Sequence, residues 1–164
     1  MLLKIRPWYL YGFLLGAFGL GLAGYLQVFQ GIEPCPLCML TRFILILLCV
    51  VFLVAFFHNP GPIGKWIYIT LTTFLSVIGL AITARHVWLQ HLPTGDIPAC
   101  GPGFDYLLET FPLFTALGTM LKGSGECSEV LWTFGGLSLP TWAGLGFVIF
   151  AIISVLPAFD SSPK

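Results

Sequence analysis

Two cysteines, Cys35 and Cys38, are separated by only two residues and lie directly before a long apolar run. Two thiols at this spacing can close a small disulfide, bind a soft metal ion, or exchange electrons with another dithiol. Pro36 suits the first position of a helix, where its missing N–H is not needed. We therefore expect Cys35 to cap that helix, where the helix dipole favours a thiolate. Arg42 follows one turn after Cys38, on the same helical face.

The composition of the chain indicates a membrane protein. Only 9% of its residues are charged and 57% are hydrophobic, whereas a soluble domain carries about 25% charged residues. The length of 164 residues suits one domain, residues 1–164. A formal net charge of zero argues against a nucleic-acid partner.

Four apolar stretches are long enough to cross a bilayer as helices. At 1.5 Å per residue they give roughly 26–33 Å, which matches a hydrocarbon core of about 30 Å. Their apolar residues are continuous rather than alternating, which argues against the strands of a membrane barrel. The sequence therefore predicts an all-α bundle of four transmembrane helices, over residues 8–29, 39–57, 66–84 and 140–156.

The basic residues predict the orientation of this bundle. With both termini in the cytoplasm, the inner side collects four cations, as the positive-inside rule requires: Lys4, Arg6, Lys65 and Lys164. The outer loops are then residues 30–38 and 89–139, with Lys122 as their one loop cation. The longer loop contains an apolar segment that is too short to span. We expect it to form a short interfacial helix that starts near Pro112.

The long outer loop carries a second pair of cysteines, Cys100 and Cys127. All four outer cysteines would face an oxidising compartment, where disulfides are expected. Four cysteines allow three connectivities, and their spacing favours Cys35–Cys38 and Cys100–Cys127 pairs at rest. Glycines and prolines around Cys100 predict irregular backbone, which suits an exchanging pair better than a structural staple. A zinc site of four thiolates is disfavoured, because the second pair lacks a CxxC spacing.

Two further ionisable residues, Arg85 and His86, end the third apolar stretch at the membrane face where Arg42 also lies. Ionisable groups at this depth are costly and tend to be functional. We expect His86 to donate a hydrogen bond or relay protons near the thiols. Arg85 could act there or extend its guanidinium to the lipid headgroups. The sequence assigns no definite role to Arg85, His91 or Glu33.

These motifs resemble the DsbB family of membrane disulfide-forming proteins. The resemblance covers nearly the whole chain and rests on Cys35-Pro36-Leu37-Cys38-Met39-Leu40-Thr41-Arg42, His86, Cys100, Cys127 and residues 125–129, 132–134 and 136–142. Thr41 is a departure, because some members carry an acid there, and this could alter local proton handling. The vitamin K epoxide reductase family also has four helices and a CxxC. Its CxxC usually follows the loop cysteines, whereas here the CxxC comes first.

The resemblance implies a thiol:quinone oxidoreductase of the bacterial inner membrane. Such an enzyme re-oxidises a periplasmic DsbA-type dithiol protein and passes the electrons to ubiquinone or menaquinone. The resemblance suggests that the reduced partner attacks Cys100 and that the released Cys127 attacks Cys35. Cys38 is then left as the thiolate that faces the quinone.

In the same scheme Arg42 stabilises the Cys38 thiolate and the developing negative charge on the quinone oxygen. His86 is a second residue that would donate a hydrogen bond or deliver protons. Two alternatives stay open. One is a related quinone-linked enzyme that runs in the reducing direction or serves a dedicated partner. The other is a membrane scaffold held by two structural disulfides.

Overall fold

The structure is a computed structural model that describes residues 6–32, 34–93, 110 and 112–159. Four residues singled out in the sequence, Lys4, Glu33, Cys100 and Lys164, lie outside the described residues. The predictions made for them therefore stay predictions.

Helices make up most of the described chain, in agreement with the predicted all-α class. They are α1 (Arg6–Gln30), α2 (Pro36–His58), α3 (Pro62–Gln90), α4 (Leu113–Lys122) and α5 (Leu139–Phe159). Four of them, α1, α2, α3 and α5, are long and apolar enough to cross a membrane. The prediction of four spanning helices is confirmed.

The long helices extend beyond the apolar stretches that predict them. The largest difference is at the end of α3, which continues from residue 84 to Gln90. Backbone hydrogen bonding continues through polar residues once a helix is formed, so the end of an apolar run does not mark the end of a helix. As a result Arg85 and His86 lie within α3, where the helix holds both in a regular backbone.

Small residues allow the helices to approach closely. The packing is most extensive between α3 and α5, followed by α1 with α2 and α2 with α3. A Cβ added at Gly79 of α3 would overlap the ring of Phe147 on α5, and one added at Gly16 of α1 would overlap the sulfur of Cys49 on α2. Each glycine therefore admits a side chain from the facing helix.

One end of the bundle brings together the C-terminal ends of α1 and α3 and the N-terminal ends of α2 and α5. Arg42 of α2 donates a hydrogen bond to the carbonyl of Ala23 on α1 at 3.0 Å. Ser138, directly before α5, donates one to the Oε1 of Gln90 on α3 at 2.7 Å. We call this end, which also contains Cys35, the cysteine end.

The described part of the segment between α3 and α5 packs against the bundle at the cysteine end. The short helix α4 begins at Leu113, next to the predicted start at Pro112. A single turn of 3₁₀ helix, Gly125–Ser128, follows it. Met120 of α4 is buried and Phe114 is exposed, so α4 presents different faces to the bundle and to its surroundings.

A small hairpin that the hydropathy pattern does not reveal leads into α5. Strands β1 (Thr133–Phe134) and β2 (Leu137–Ser138) pair antiparallel. Gly135 and Gly136 form the turn with φ of 60° and 80°. A Gly-Gly pair between residues that favour strands is a known signal for this type of two-residue turn.

Candidate active site

The N-terminus of α2 positions the first cysteine of the CxxC pair. Cys35 is the N-cap residue, with extended φ and ψ of −65° and 163°, and Pro36 follows at the start of the helix. The backbone N–H of Met39 donates to the Cys35 carbonyl at 3.1 Å. Cys35 is buried, whereas Cys38, one turn later, is half-buried. The sequence predicts this capping arrangement, and the structure has it.

His86 of α3 lies between the two thiols of this pair. Its Nε2 is 3.7 Å from the Sγ of Cys35, and its Nδ1 is 4.0 Å from the Sγ of Cys38. The residue is only 4% exposed. A neutral imidazole donates from one ring nitrogen and accepts at the other, so His86 can connect the two sulfurs as donor to one and acceptor from the other.

The third sulfur comes from the 3₁₀ turn. Cys127 is fully buried, and its Sγ, the Sγ of Cys35 and a ring nitrogen of His86 all lie within 4.8 Å of one another. Its backbone N–H donates to the Ser124 carbonyl at 2.9 Å. The hydroxyl of Ser124 is 3.8 Å from the Cys127 sulfur. A cysteine from the segment after α4 therefore faces the cysteine that caps α2.

The environment of Cys127 favours its protonated form. A hydrogen bond with the Cys35 sulfur, together with burial, raises the pKa of Cys127 well above the usual range of a thiol. The thiolate is the form that attacks a disulfide. Cys127 therefore needs a proton acceptor before it can act as a nucleophile, and the imidazole of His86 is close enough to serve.

The cysteines within the described residues have free thiols: Cys35, Cys38, Cys49 and Cys127. The predicted Cys35–Cys38 disulfide is therefore not formed in this structure, in which Cys35 lies close to both His86 and Cys127. The predicted partner of Cys127, Cys100, lies outside the described residues.

Thiols and an imidazole are also the donors that soft metal ions prefer. The cluster of Cys35, His86 and Cys127 could hold such an ion by its donor types and proximity. The same sulfurs are equally suited to disulfide exchange, which requires two sulfurs that can approach each other.

Arg42, on the helical face of Cys38, is bound to α1. Its Nη2 donates to the carbonyl of Ala23 at 3.0 Å, and its Nη1 donates to the Oε1 of Gln27. The guanidinium is half-buried one turn away from the half-buried thiol of Cys38. The structure therefore holds a fixed positive charge on α2 at the same end of the bundle as the cysteines.

Arg85 has a contact that sequence reasoning does not identify. Its Nη2 donates to the backbone carbonyl of Lys122 at 3.1 Å, and its guanidinium lies 4.2 Å from the centre of the Trp88 ring. A backbone carbonyl is present in every residue, so no residue type in the segment signals this partner.

Comparisons with known proteins show the family of the chain. A family model described as "Disulfide bond formation protein DsbB" matches residues 5–157. A Disulfide bond formation protein B from Nitrosococcus oceani is 45% identical over 155 residues, which cover 94% of this chain and 92% of the relative. One from Hahella chejuensis is 46% identical over 134 residues, covering 82% and 81%. One from Chromohalobacter salexigens is 43% identical over 152 residues, covering 92% and 88%.

The family resemblance stated from the motifs is therefore confirmed over nearly the whole chain. The chain is a multi-pass membrane protein by its four long apolar helices, and its buried thiols suit a disulfide-forming oxidoreductase. It belongs to the DsbB family of disulfide bond formation proteins.

Proposed function

We propose that this protein re-oxidises a periplasmic DsbA-type dithiol protein and passes the electrons to a membrane quinone, ubiquinone or menaquinone. The observation that carries the proposal is the proximity of Cys127 to Cys35. These residues come from separate segments at the cysteine end, and their sulfurs lie within 4.8 Å. Electrons can therefore pass from the loop cysteines to the CxxC pair, while the disulfide moves in the opposite direction.

The proposed relay consists of thiol–disulfide exchanges in which atoms and electrons balance. The partner's thiolate attacks Cys100, which breaks the Cys100–Cys127 disulfide and releases Cys127. Cys127 attacks Cys35, which breaks the Cys35–Cys38 disulfide and releases Cys38. The partner's second thiol displaces Cys100, and the partner leaves oxidised. Cys100 then displaces Cys35 from Cys127. This restores the loop pair and leaves Cys35 and Cys38 reduced.

His86 has two tasks in this relay. It lies close enough to Cys127 to give a proton to the thiolate that the partner's attack releases, and to take that proton back before Cys127 attacks Cys35. Its Nδ1, 4.0 Å from the Cys38 sulfur, is placed to donate a hydrogen bond to the thiolate that the same attack releases. Charge-assisted hydrogen bonds of this kind are stronger than neutral ones. One imidazole thus serves both ends of the exchange.

The residues around Cys38 suit a quinone. Cys38 is half-buried whereas Cys35 is buried, so Cys38 is the thiol of the pair that a molecule from the bilayer can reach. Arg42 and His86 would hold the quinone oxygens, because both can donate hydrogen bonds where negative charge develops. A bound quinone supplies the final oxidation by accepting two electrons and two protons. The thiols of Cys35 and Cys38 provide these and close to a disulfide.

The positive-inside pattern supports an inner-membrane orientation with the cysteine end on the periplasmic side. Arg6 and Lys65 both lie near the opposite end of the bundle, at the starts of α1 and α3. This orientation exposes the relay to an oxidising compartment, and it leaves both termini in the cytoplasm.

Quinone reduction by the purified protein tests the proposal, with reduced DsbA as donor and quinone absorbance as readout. We expect turnover in the wild type and loss of turnover in Cys100→Ser and in Cys38→Ser. Cys49→Ser is the matched control, because Cys49 is buried against Gly16, within the bundle. It should turn over normally.

Three results would contradict the proposal. Normal quinone reduction by Cys38→Ser would remove the assigned electron donor. Reduction of oxidised DsbA by quinol, with no reaction in the forward direction, would favour an enzyme that runs in the reducing direction. Disulfides that stay oxidised in the presence of any reduced dithiol partner would favour a scaffold.

A further inference from the structure

The side chain of Arg85 on α3 binds the C-terminal end of α4. The last carbonyls of a helix have no partner within the helix, and the negative end of the helix dipole favours a cation there. Lys122, the last residue of α4, has its carbonyl bound by the Nη2 of Arg85 at 3.1 Å. Arg85 therefore supplies both the missing donor and the favourable charge.

Arg85 is itself fixed in place. Its guanidinium lies 4.2 Å from the centre of the Trp88 ring, a stacking geometry in which the ring attracts the cation. It is also the residue directly before His86 on α3. The same turn of helix therefore places the imidazole beside Cys35 and the guanidinium on α4.

The chain that leaves α4 is packed against the bundle at once. Gly123 has a positive φ of 79°, and a Cβ added there would overlap the side chain of Leu89 and approach that of Leu37 at 3.4 Å. Both leucines are fully buried. Only a residue without a side chain fits this conformation and this contact.

From this point the backbone leads directly to the third sulfur. Ser124 is 7% exposed and Cys127 is fully buried, and the 3₁₀ turn joins them through a hydrogen bond of 2.9 Å. Residues 122–127 thus connect the Arg85 contact to the Cys127 sulfur through a short, well-packed segment. A shift at Lys122 would be transmitted to Cys127.

We propose that Arg85 is a positioning residue for disulfide exchange, which holds the end of α4 so that Cys127 faces Cys35. It transfers neither electrons nor protons. The inference rests on the proposed relay, because the relay requires the Cys35–Cys127 contact. The role of Arg85 gives a specific cause for that contact and explains why a cation directly precedes His86.

The experiment measures how readily Cys127 pairs with Cys35. In a chain that keeps only these two cysteines, equilibration with reduced and oxidised glutathione gives the effective concentration of one thiol at the other. Each disulfide formed converts one oxidised glutathione into two reduced molecules. We expect Arg85→Met to lower this effective concentration by about tenfold or more, which corresponds to about 1.4 kcal/mol.

Two variants serve as controls for the contact itself. Lys122→Ala keeps the carbonyl that Arg85 binds, so it should pair as well as the parent. Arg85→Lys retains a positive donor without the planar stacking on Trp88, and it should recover part of the loss. The proposal would be overturned if the Arg85→Met and Lys122→Ala variants formed the Cys35–Cys127 disulfide equally well.

A chain that keeps only Cys35 and Cys38 separates positioning from general damage. Pairing within the CxxC does not depend on α4, so Arg85→Met should leave it unchanged. Equal losses for both pairs would show that Arg85 only stabilises the fold, and would overturn the proposal. Failure of Cys35 and Cys127 to pair even with Arg85 present would instead remove the relay itself.

Discussion

At the scale of single residues, one imidazole lies among the sulfurs of the proposed relay. His86 approaches Cys35 through one ring nitrogen and Cys38 through the other. Because a proton must leave the attacking thiol while negative charge appears on the leaving sulfur, a group between them can accept the first and stabilise the second. Few side chains other than histidine can do both near neutral pH.

His86→Gln should therefore slow the exchange from Cys127 to Cys35. Glutamine can still form hydrogen bonds but cannot accept the proton, and loss of a general base typically lowers a rate by about 10²-fold or more. Single-turnover quinone reduction with reduced DsbA measures the effect. His91→Gln is the control, because His91 is exposed on the same end of α3, and its rate should match the wild type. Equal rates for both variants would remove His86 from the chemistry.

A hydrogen bond with the free Cys35 thiol and burial both raise the pKa of Cys127. Burial still acts when Cys35 is held in its disulfide, and it predicts the pH dependence of the exchange step. A thiol whose pKa lies above the pH range of the experiment is mostly protonated in that range. Its thiolate fraction therefore increases about tenfold for each unit by which the pH is raised, as long as the pH stays below that pKa. The partner's reactive thiol ionises near pH 3.5 in DsbA, a known example, and does not titrate in this range. The single-turnover rate should therefore increase between about pH 6 and 8. A flat profile would show that Cys127 is already ionised or that its attack is not limiting.

At the scale of elements, the chain that follows α4 packs against the bundle through its backbone as well as its side chains. Gly123 leaves α4 with φ of 79° and ψ of 159°, a region that is essentially limited to glycine. Its Cα lies against Leu89. The chain that leads into the Cys127 turn is therefore held by a close contact between the backbone of Gly123 and the buried side chain of Leu89.

Gly123→Ala should displace this turn and lower quinone reduction by about tenfold or more. The added Cβ overlaps Leu89, and the backbone conformation itself disfavours alanine by about 1–3 kcal/mol. Combining it with Leu89→Ala removes the overlap but not the backbone strain, so activity should return only in part. Gly118→Ala on α4 is the control, since nothing lies near its Cβ position. A fully active Gly123→Ala would show that the turn tolerates another conformation.

Local signals in the sequence account for much of this arrangement. The Pro36 signal predicts Cys35 as a helix cap, and the apolar segment after Pro112 predicts α4, because both depend on neighbouring residues. The Arg85 contact with the Lys122 carbonyl depends on the path of a long loop, which no local pattern encodes. The Gly135-Gly136 turn had a usable signal, but the hydropathy of the surrounding segment does not reveal two such short strands.

At the scale of the whole molecule, the proposed relay depends on how α3 packs. This helix carries Arg85 and His86, and its contacts with α5 are the most extensive of any pair of described elements. At Gly79 of α3, the ring of Phe147 on α5 occupies the space that a side chain would fill. Lipid is as apolar as the helix surface, so the hydrophobic effect does not hold helices together within a bilayer. Close van der Waals packing between helices therefore contributes strongly to the stability of the bundle. The position of the site is thus set partly by a contact far from it.

Gly79→Leu should separate α3 from α5 and destabilise the bundle. Overpacking a close contact typically costs about 1–3 kcal/mol, and here the obstructing atoms belong to a buried ring. Gly21→Leu on α1 is the matched control, because nothing lies within 4 Å of its Cβ position. Thermal unfolding in detergent should show a lower midpoint for Gly79→Leu alone, and Phe147→Ala should restore part of the loss by removing the ring. Because α3 also positions His86, the destabilised variant should lose exchange between Cys127 and Cys35 at temperatures where the control retains it. Unchanged midpoints for both leucine variants would show that α3 and α5 can repack without moving the site.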